Sequence, residues 1–484
     1  MGVTTVNWQG RFAILGWGVS GKASAHVLVK RGAQLCAFDG RGREDDQSEN
    51  DANVEFVSEA DSDALAQAVI DWKPDCIVVS PGIPAHHPIF SAAKNAGIEL
   101  IGEVELAWRL QEDSEHAGRP WLCVTGTNGK TTTVGMLGAM LRAAGENAVE
   151  VGNIGLPICE AIDTDATVFA VELSSFQLHT VSTVSPLASV CLNVDADHLD
   201  WHGSAQAYAA DKAKVYHLTQ KACFYPASDI TVENMVAEAD VVEGARAIGL
   251  TLGIPSISQV GWVEDALVER AFVEKRHMQA QFLAEVDDLR VAYHDGVTDA
   301  ARMDATAAAG LARAFGVPPE AVAQGLRSFT PAHHRRAVIS HAADVTWIDD
   351  SKATNAHAAV ASLSGITPGT AVWIAGGDTK GQEFGDLVAR VAPLLRGVVV
   401  IGKDRSAIVN ALRQRAPQVP FVEVDGHEDW MFSVVNEAVA LSRPGDTVVL
   451  APACASWDQF RSYAQRGDVF RDAVKRLEAN WAAQ

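Results

Sequence analysis

What this chain lacks narrows its class before any motif is read. No C-x-x-C pair joins its seven cysteines, at positions 36, 76, 123, 159, 191, 223 and 454, so neither a zinc site nor a dithiol redox centre has a ligand pattern to stand on. Most of them sit in apolar, strand-like runs, which points to buried free thiols rather than disulfides. There is no apolar N-terminal segment of the signal-peptide kind and no run of about 18 apolar residues, so no membrane span is expected and the predicted location is cytoplasmic. Positive charge is scarce too. With 39 Lys and Arg against 61 Asp and Glu the formal net charge is -22, which argues against nucleic acid or an anionic membrane as a partner. An anionic ligand must then be held by particular loops. No short repeat of fixed period is visible, which sets aside a solenoid. Neither a basic face nor coiled-coil heptads are present to carry a macromolecular partner.

What is present reads as a soluble globular α/β protein, 48% hydrophobic and 21% charged. Its 484 residues suggest about three domains at roughly 150 residues each. Short β-branched runs alternate with Ala-rich helical stretches, the rhythm of parallel sheets with crossover helices. The rhythm restarts three times: "RFAIL" to "IELIG", "WLCVTG" to "ASVCLNV", and "GTAVWIAGG" to "DTVVLAP". Polar stretches at 111–120 and 329–336 separate the three, giving expected domains 1–113, 114–330 and 331–484.

Two glycine-rich turns carry phosphate chemistry. In "ILGWGVSG" the residues Gly16, Gly18 and Gly21 follow a strand-like run and precede a helical one, which satisfies the dinucleotide-fold fingerprint, and Asp39 follows about 20 residues later as a ribose-binding acid would. On these residues alone an NAD(P) enzyme stays open. The second turn, "VTGTNGKTTT" at 124–133, also joins strand to helix. There, backbone N–H groups face phosphate, Lys130 reaches the β/γ oxygens and the Thr131 hydroxyl is available to Mg²⁺. Val124 stands where the full Walker pattern has its first glycine, and only the tighter G-T-N-G-K-T core is kept. Glu172 ends the next buried strand, and Asp195, Asp197, His198 and Asp200 follow another, so all would face the same crevice as the loop. His198 alone could equally be a loop histidine.

Read together, "GTNGKTTT", "GNIG" (152–155), "VELSSFQL", "NVDADHLDWHGS", "DDSKATN" (349–355), "GGDTKG" (376–381) and "PACASWDQFRSYAQRG" (452–467) resemble the Mur ligase family, the ATP-dependent amino-acid ligases of peptidoglycan precursor synthesis in the cell wall. "GWGVSG" with "SPGIP" (80–84) looks like the D-glutamate-adding branch. The resemblance implies a Rossmann-like UDP-binding domain, a central P-loop ATPase domain and a Rossmann-like amino-acid-binding domain. It implies substrates UDP-N-acetylmuramoyl-L-alanine and D-glutamate, an acyl-phosphate intermediate, ATP with two Mg²⁺ ions, and a monomer.

By the same resemblance the ATP set runs from Gly126 and Thr127 through Asn128 and Gly129 to Lys130, Thr131 and Thr132, joined by Arg335, Asp350 and Lys352. One Mg²⁺ would bind Thr131 and Glu172. The other would bind His198 and a carbamylated Lys212, in "YAADKAKVY", whose bland alternative is a surface-helix lysine. Val19, Ser20, Asp39 and Arg41, with Ser80, Gly82, Asn153 and His198, match positions for the UDP substrate, and Thr354, Lys380, Ser456 and Tyr463 match positions for D-glutamate. Lys130, Glu172, His198 and Lys212 are the expected catalytic groups. Cys454 reads as a packed thiol, with no His or Lys beside it to lower its pKa. The chain departs from the family at 299–316, where Asp304 takes the last place of a His-Asn-x-x-Asn motif and no asparagine occurs. Residues from about 226 to 300 match no chemistry.

Overall fold

The computed structural model describes residues 7–42, 54–195, 197–293, 296–425 and 429–482. They fall into two compact units, Met1–Glu285 with Met303–Ser328, and Val286–Arg302 with Phe329–Gln484. The first unit holds two sheets. Its N-terminal sheet is fully parallel, in the order Glu55–Ser58, Gln34–Asp39, Arg11–Leu15, Cys76–Val79, Glu99–Gly102. Helices cover such a sheet on both faces, which is why Phe12 to Leu15 and Cys76 to Val79 are continuous apolar runs buried throughout. Chain order reverses between Arg11–Leu15 and Cys76–Val79, and a crevice opens at the carboxyl ends of that pair.

The central sheet has nine strands, with Trp121–Thr125 between Ala188–Cys191 and Val168–Glu172. Ala148–Gly152 forms one edge, beside Val168–Glu172. On the other side Ala222–Pro226 and Arg246–Leu250 continue the parallel order. The expected parallel rhythm then fails. Gln259–Val263, Ala266–Glu269 and Gln281–Glu285 pair antiparallel, closing the sheet with a meander built from the stretch that matched no chemistry. Only two residues link the first pair, too few for a parallel crossover, and Glu264 takes a left-handed φ of 55° to make the turn.

The polar stretch at 111–120 is tied down rather than loose. Gln111 is fully buried, its Oε1 accepting from Trp121 Nε1 at 2.9 Å and its Nε2 donating to Arg119 O at 3.1 Å. Trp108 packs edge-on against Trp121 at 5.1 Å, so one apolar core runs through the N-terminal and central sheets. The sheet of the second unit runs Ala337–Ser340, Thr346–Asp349, Thr447–Leu450, Ala371–Gly376, Leu395–Ile401, Phe421–Glu423, parallel except for its first strand. All seven cysteines are buried and free, and burial pushes the thiols of Cys76 and Cys454 up to about 12. No helix among the described residues is long and apolar enough to cross a membrane.

Candidate active site

The first glycine turn sits at the reversal point of the N-terminal sheet. Gly21 has no room for a side chain, because a Cβ there would stand 2.0 Å from Gly16 O. Gly18 is different: nothing lies within 4 Å of the Cβ it lacks, and it caps the helix Val19–Val29 beside an open cleft. Backbone N–H groups and a helix N-terminus facing empty space form an anion cradle. Ser80 Oγ donates to Gly16 O at 2.7 Å and so clamps this turn to the neighbouring strand end. Asp39 accepts from Trp17 N at 2.7 Å and Arg41 N at 2.8 Å. Burial raises its carboxyl, but these donors outweigh that and hold it below its ordinary value.

The cleft is about 720 Å³ and continues onto the central sheet, where Gly152, Asn153, Phe176 and Gln177 line it. Of the eight residues expected at the UDP substrate, Val19, Ser20, Asp39, Arg41, Ser80, Gly82 and Asn153 line this cleft. His198 is not among its lining. Its ring packs edge-on against Phe176 at 4.8 Å and lies 3.7 Å from Asp197, on a backbone with φ of 52°.

The second turn leaves the carboxyl end of Trp121–Thr125. Val124 is buried within that strand and pairs with Glu172 and Val190, so the Walker position it occupies needs no glycine and the loop proper begins at Gly126. The loop is braced from below: Asn128 N donates to Asn193 Oδ1 at 2.9 Å, and the Thr127 hydroxyl lies 2.9 Å from that of Tyr208. Gly129, with φ of 86°, caps the helix Lys130–Ala143, and a Cβ there would stand 2.4 Å from Asp304 Oδ1. Asp304 also accepts from Thr133 Oγ1 at 3.3 Å. The residue that departs from the family motif thus lies against the loop itself.

Lys130 Nζ folds back on Gly126 O at 2.7 Å and Thr127 O at 3.0 Å. Thr131 Oγ1 donates to Glu172 Oε2 at 2.8 Å, and Asn153 Nδ2 donates to Glu172 Oε1 at 2.8 Å. Glu172 is only 1% exposed. A hydroxyl and a carboxylate already in contact are hard oxygen donors that fit Mg²⁺, which draws its remaining ligands from phosphate and water. No group of three or more His, Cys, Asp and Glu gathers into a metal cage among the described residues.

Lys212 is not a surface lysine. It is 1% exposed, and its Nζ donates to Gly126 O at 2.8 Å, the carbonyl that Lys130 also uses. Burial and then the charge of Lys130 push it down to about 7. Its neighbour Asp211 anchors the helix Ala205–Ala213, with Oδ2 2.8 Å from His179 Nδ1 and 3.0 Å from His202 Nδ1, while His202 Nε2 meets Ser175 Oγ at 3.0 Å. Asn193, Tyr208 and this His179–Asp211–His202 cluster escaped sequence reasoning. Their signal was proximity to quoted motifs: His202 ends "DHLDWH" and Ser175 belongs to "VELSSFQL".

In the second unit Asp350, Lys352 and Thr354 follow the strand Thr346–Asp349, Lys380 follows Ala371–Gly376 and Ser456 follows Thr447–Leu450, while Arg335 precedes Ala337–Ser340 and Tyr463 opens the helix Tyr463–Ala482. Burial pushes the Asp350 carboxyl up, and the charge of Arg335 opposes it. Lys352 Nζ lies 5.1 Å over the Tyr463 ring, and Thr354 N donates to Lys352 O at 2.8 Å. Asp378 and Ala455 exchange backbone hydrogen bonds at 2.9 Å, bringing the segments of Lys380 and Ser456 side by side. Arg466, also missed from sequence, ties these loops together: its Nη2 donates to Ser351 O at 2.8 Å and its Nη1 to Cys454 O at 3.2 Å.

Known proteins share this construction. The model described as Mur ligase MurD-like, N-terminal domain matches residues 10–102, Mur ligase middle domain matches 124–249, and Mur ligase, glutamate ligase domain matches 334–454. A UDP-N-acetylmuramoylalanine--D-glutamate ligase of Streptomyces coelicolor is 48% identical over 476 residues, covering 96% of this chain and 98% of that protein. The protein of that name from Leifsonia xyli is 43% identical over 484 residues, covering 97% and 93%. The solved MurF ligase from Thermotoga maritima in complex with ADP is similar over 97% of this chain and 95% of its own, with a TM-score of 0.57 at 16% identity, which shows a common fold.

Proposed function

The chain belongs to the Mur ligase family, and on that premise we propose that it joins D-glutamate to UDP-N-acetylmuramoyl-L-alanine at the expense of ATP. The observation that carries this reading is the place of Asn153. It lines the cleft under the first glycine turn and bonds the carboxylate paired with the P-loop threonine, so one side chain joins a diphosphate cradle to a nucleotide loop.

The reaction needs that junction. A carboxylate oxygen of the alanyl substrate attacks the γ-phosphorus and the bond to ADP breaks. The amine of D-glutamate then attacks the acyl carbon, and the tetrahedral intermediate collapses with loss of phosphate and a proton. Negative charge accumulates at both steps, so preorganised cations and donors are the main catalytic requirement. Lys130 and the loop N–H groups hold the ATP phosphates. Thr131 and Glu172 would hold one Mg²⁺ and His198 with a carbamylated Lys212 the other, and the ions would supply neutralising charge. Burial of Lys212 supports the carbamate, since it lowers the lysine to about 7 and so favours the neutral amine, the form that adds CO₂. Gly18, Val19 and Ser20 would take the uridine diphosphate. Thr354, Lys380, Ser456 and Tyr463 would take the two carboxylates of D-glutamate, with a cation and hydroxyls suited to a dianion. Arg335, Asp350 and Lys352 would act on the ATP phosphates.

Phosphate release from ATP with UDP-N-acetylmuramoyl-L-alanine, with D-Glu, L-Glu, L-Ala, L-Lys and meso-diaminopimelate supplied in turn, tests the assignment. Stimulation by D-Glu alone is the expected result. Preference for any other amino acid would reassign the chain within its family.

A further inference from the structure

A second cleft, of about 560 Å³, is lined by Lys221, Arg246, Arg276 and Arg313 together with Phe272 and one acid, Glu274. It is remote from the nucleotide loop. Lys221 precedes the strand Ala222–Pro226 and Arg246 opens Arg246–Leu250, so both stand at the amino ends of strands that run parallel, through Ala188–Cys191, to Trp121–Thr125, which carries the P-loop at its carboxyl end. The helix Asp299–Phe315 shows the same separation: Asp304 touches Gly129, and Arg313 follows nine residues later, on the order of 13 Å along the axis.

Arg246 and Arg276 are held in place by carbonyls rather than by ion pairs. Arg246 Nη1 donates to Ala271 O at 2.9 Å, with its guanidinium 5.0 Å over the Phe272 ring, and Arg276 Nη1 donates to the same carbonyl at 3.4 Å. Arg313 Nη1 donates to Val317 O at 2.6 Å. Carbonyl bonds orient a guanidinium but leave its charge intact. Among the described residues the single ion pair in the cleft is Arg313 Nη2 with Glu269 Oε1 at 3.4 Å, and the other oxygen of Glu269 is taken by the N–H groups of Ala271 and Phe272. Among the described residues Lys221, Arg246 and Arg276 make no ion pair, although the charge of Glu269 reaches Arg246, and Arg313 Nε is buried without a hydrogen bond. Burial, and then the charge of Arg276, lower the Arg246 pKa against the opposing charge of Glu269. A chain of net charge -22 has acids to spare, yet leaves these cations facing one space.

From this we infer that the cleft binds a small anion carrying two or more phosphoryl groups, at a site separate from the P-loop. Several oriented guanidinium forks match phosphate oxygens, and the volume lies within the range of small-ligand pockets, roughly 300–1,000 Å³.

Calorimetric titration of the full chain with inorganic pyrophosphate tests the inference in a Lys130→Ala background, which weakens the P-loop. Saturable binding is expected, with one component, separate from any at the Gly18 turn, weakened at least tenfold when Arg246→Gln and Arg276→Gln are added. An unchanged thermal midpoint in these variants would establish that the fold is kept. Lys221→Gln alone, at an exposed side chain, should weaken pyrophosphate several-fold. Inorganic phosphate should bind at least tenfold more weakly than pyrophosphate. No saturable binding in the Lys130→Ala chain, binding indifferent to all three cations, or equal affinity for phosphate and pyrophosphate would each overturn the inference.

Discussion

Replacing Lys130 with alanine lowers ATP-dependent turnover by about 10²–10³-fold or more, the loss seen when one preorganised donor to a developing negative charge is removed. The lysine opens the helix Lys130–Ala143 directly after the loop, and its ammonium rests on the carbonyls of Gly126 and Thr127, so it lies where the β/γ oxygens of a bound nucleotide would sit. These contacts are few and part-buried, and the loop is braced independently through Asn193 and Tyr208. The variant should therefore keep its thermal midpoint while losing activity. Lys130→Arg should not restore turnover, since a planar guanidinium is no substitute for a compact ammonium in a tight loop. Steady-state ADP release measures both variants. Turnover within tenfold of the unaltered chain would remove Lys130 from the phosphate site.

Lys212→Ala should cost turnover at least a hundredfold, and short carboxylates such as acetate or propionate should recover part of it. The side chain is buried beside Gly126 O, and truncation leaves a space next to the loop that a small carboxylate can enter and fill as a carbamate would. Truncation of a buried side chain leaves a cavity that can lower the thermal midpoint, so activity is compared well below the midpoint of each variant, where lost activity cannot be ascribed to unfolding. Lys212→Glu, which brings its own carboxylate, should respond less to added acid than Lys212→Ala. Full activity in both variants, or loss without any rescue, would contradict the carbamate.

The parts of this site that depend on chain-local geometry were legible in the sequence. A buried strand followed by a glycine turn and a helix places Lys130 and Thr131 without reference to the rest of the fold, and Glu172 follows from the rule that ligands gather at strand carboxyl ends. What could not be read were polar residues buried by distant partners. Gln111 looks like the start of a polar linker, yet it is buried because Trp121 Nε1 and Arg119 O satisfy it. Nothing in "AQAYAADKA" marks Lys212 as buried, since apolar periodicity reports where hydrophobic faces go and says nothing of a lysine bonded to a loop carbonyl. Asp304 appeared as a departure from a motif, and only the packing of its helix against the loop reveals that its carboxylate crowds Gly129. The edge meander was hidden for a different reason: its two-residue turn uses Glu264 in a left-handed conformation where glycine or asparagine would have announced a hairpin.

Ligation through an acyl phosphate is read most directly by oxygen tracing. UDP-N-acetylmuramoyl-L-alanine labelled with ¹⁸O in its alanyl carboxylate is incubated with the chain, ATP and D-glutamate, and the released phosphate is analysed by mass spectrometry. If a carboxylate oxygen attacks the γ-phosphorus and the amine later expels it, each phosphate formed with the amide carries one ¹⁸O from the substrate. Unlabelled phosphate accompanying amide formation would contradict the account.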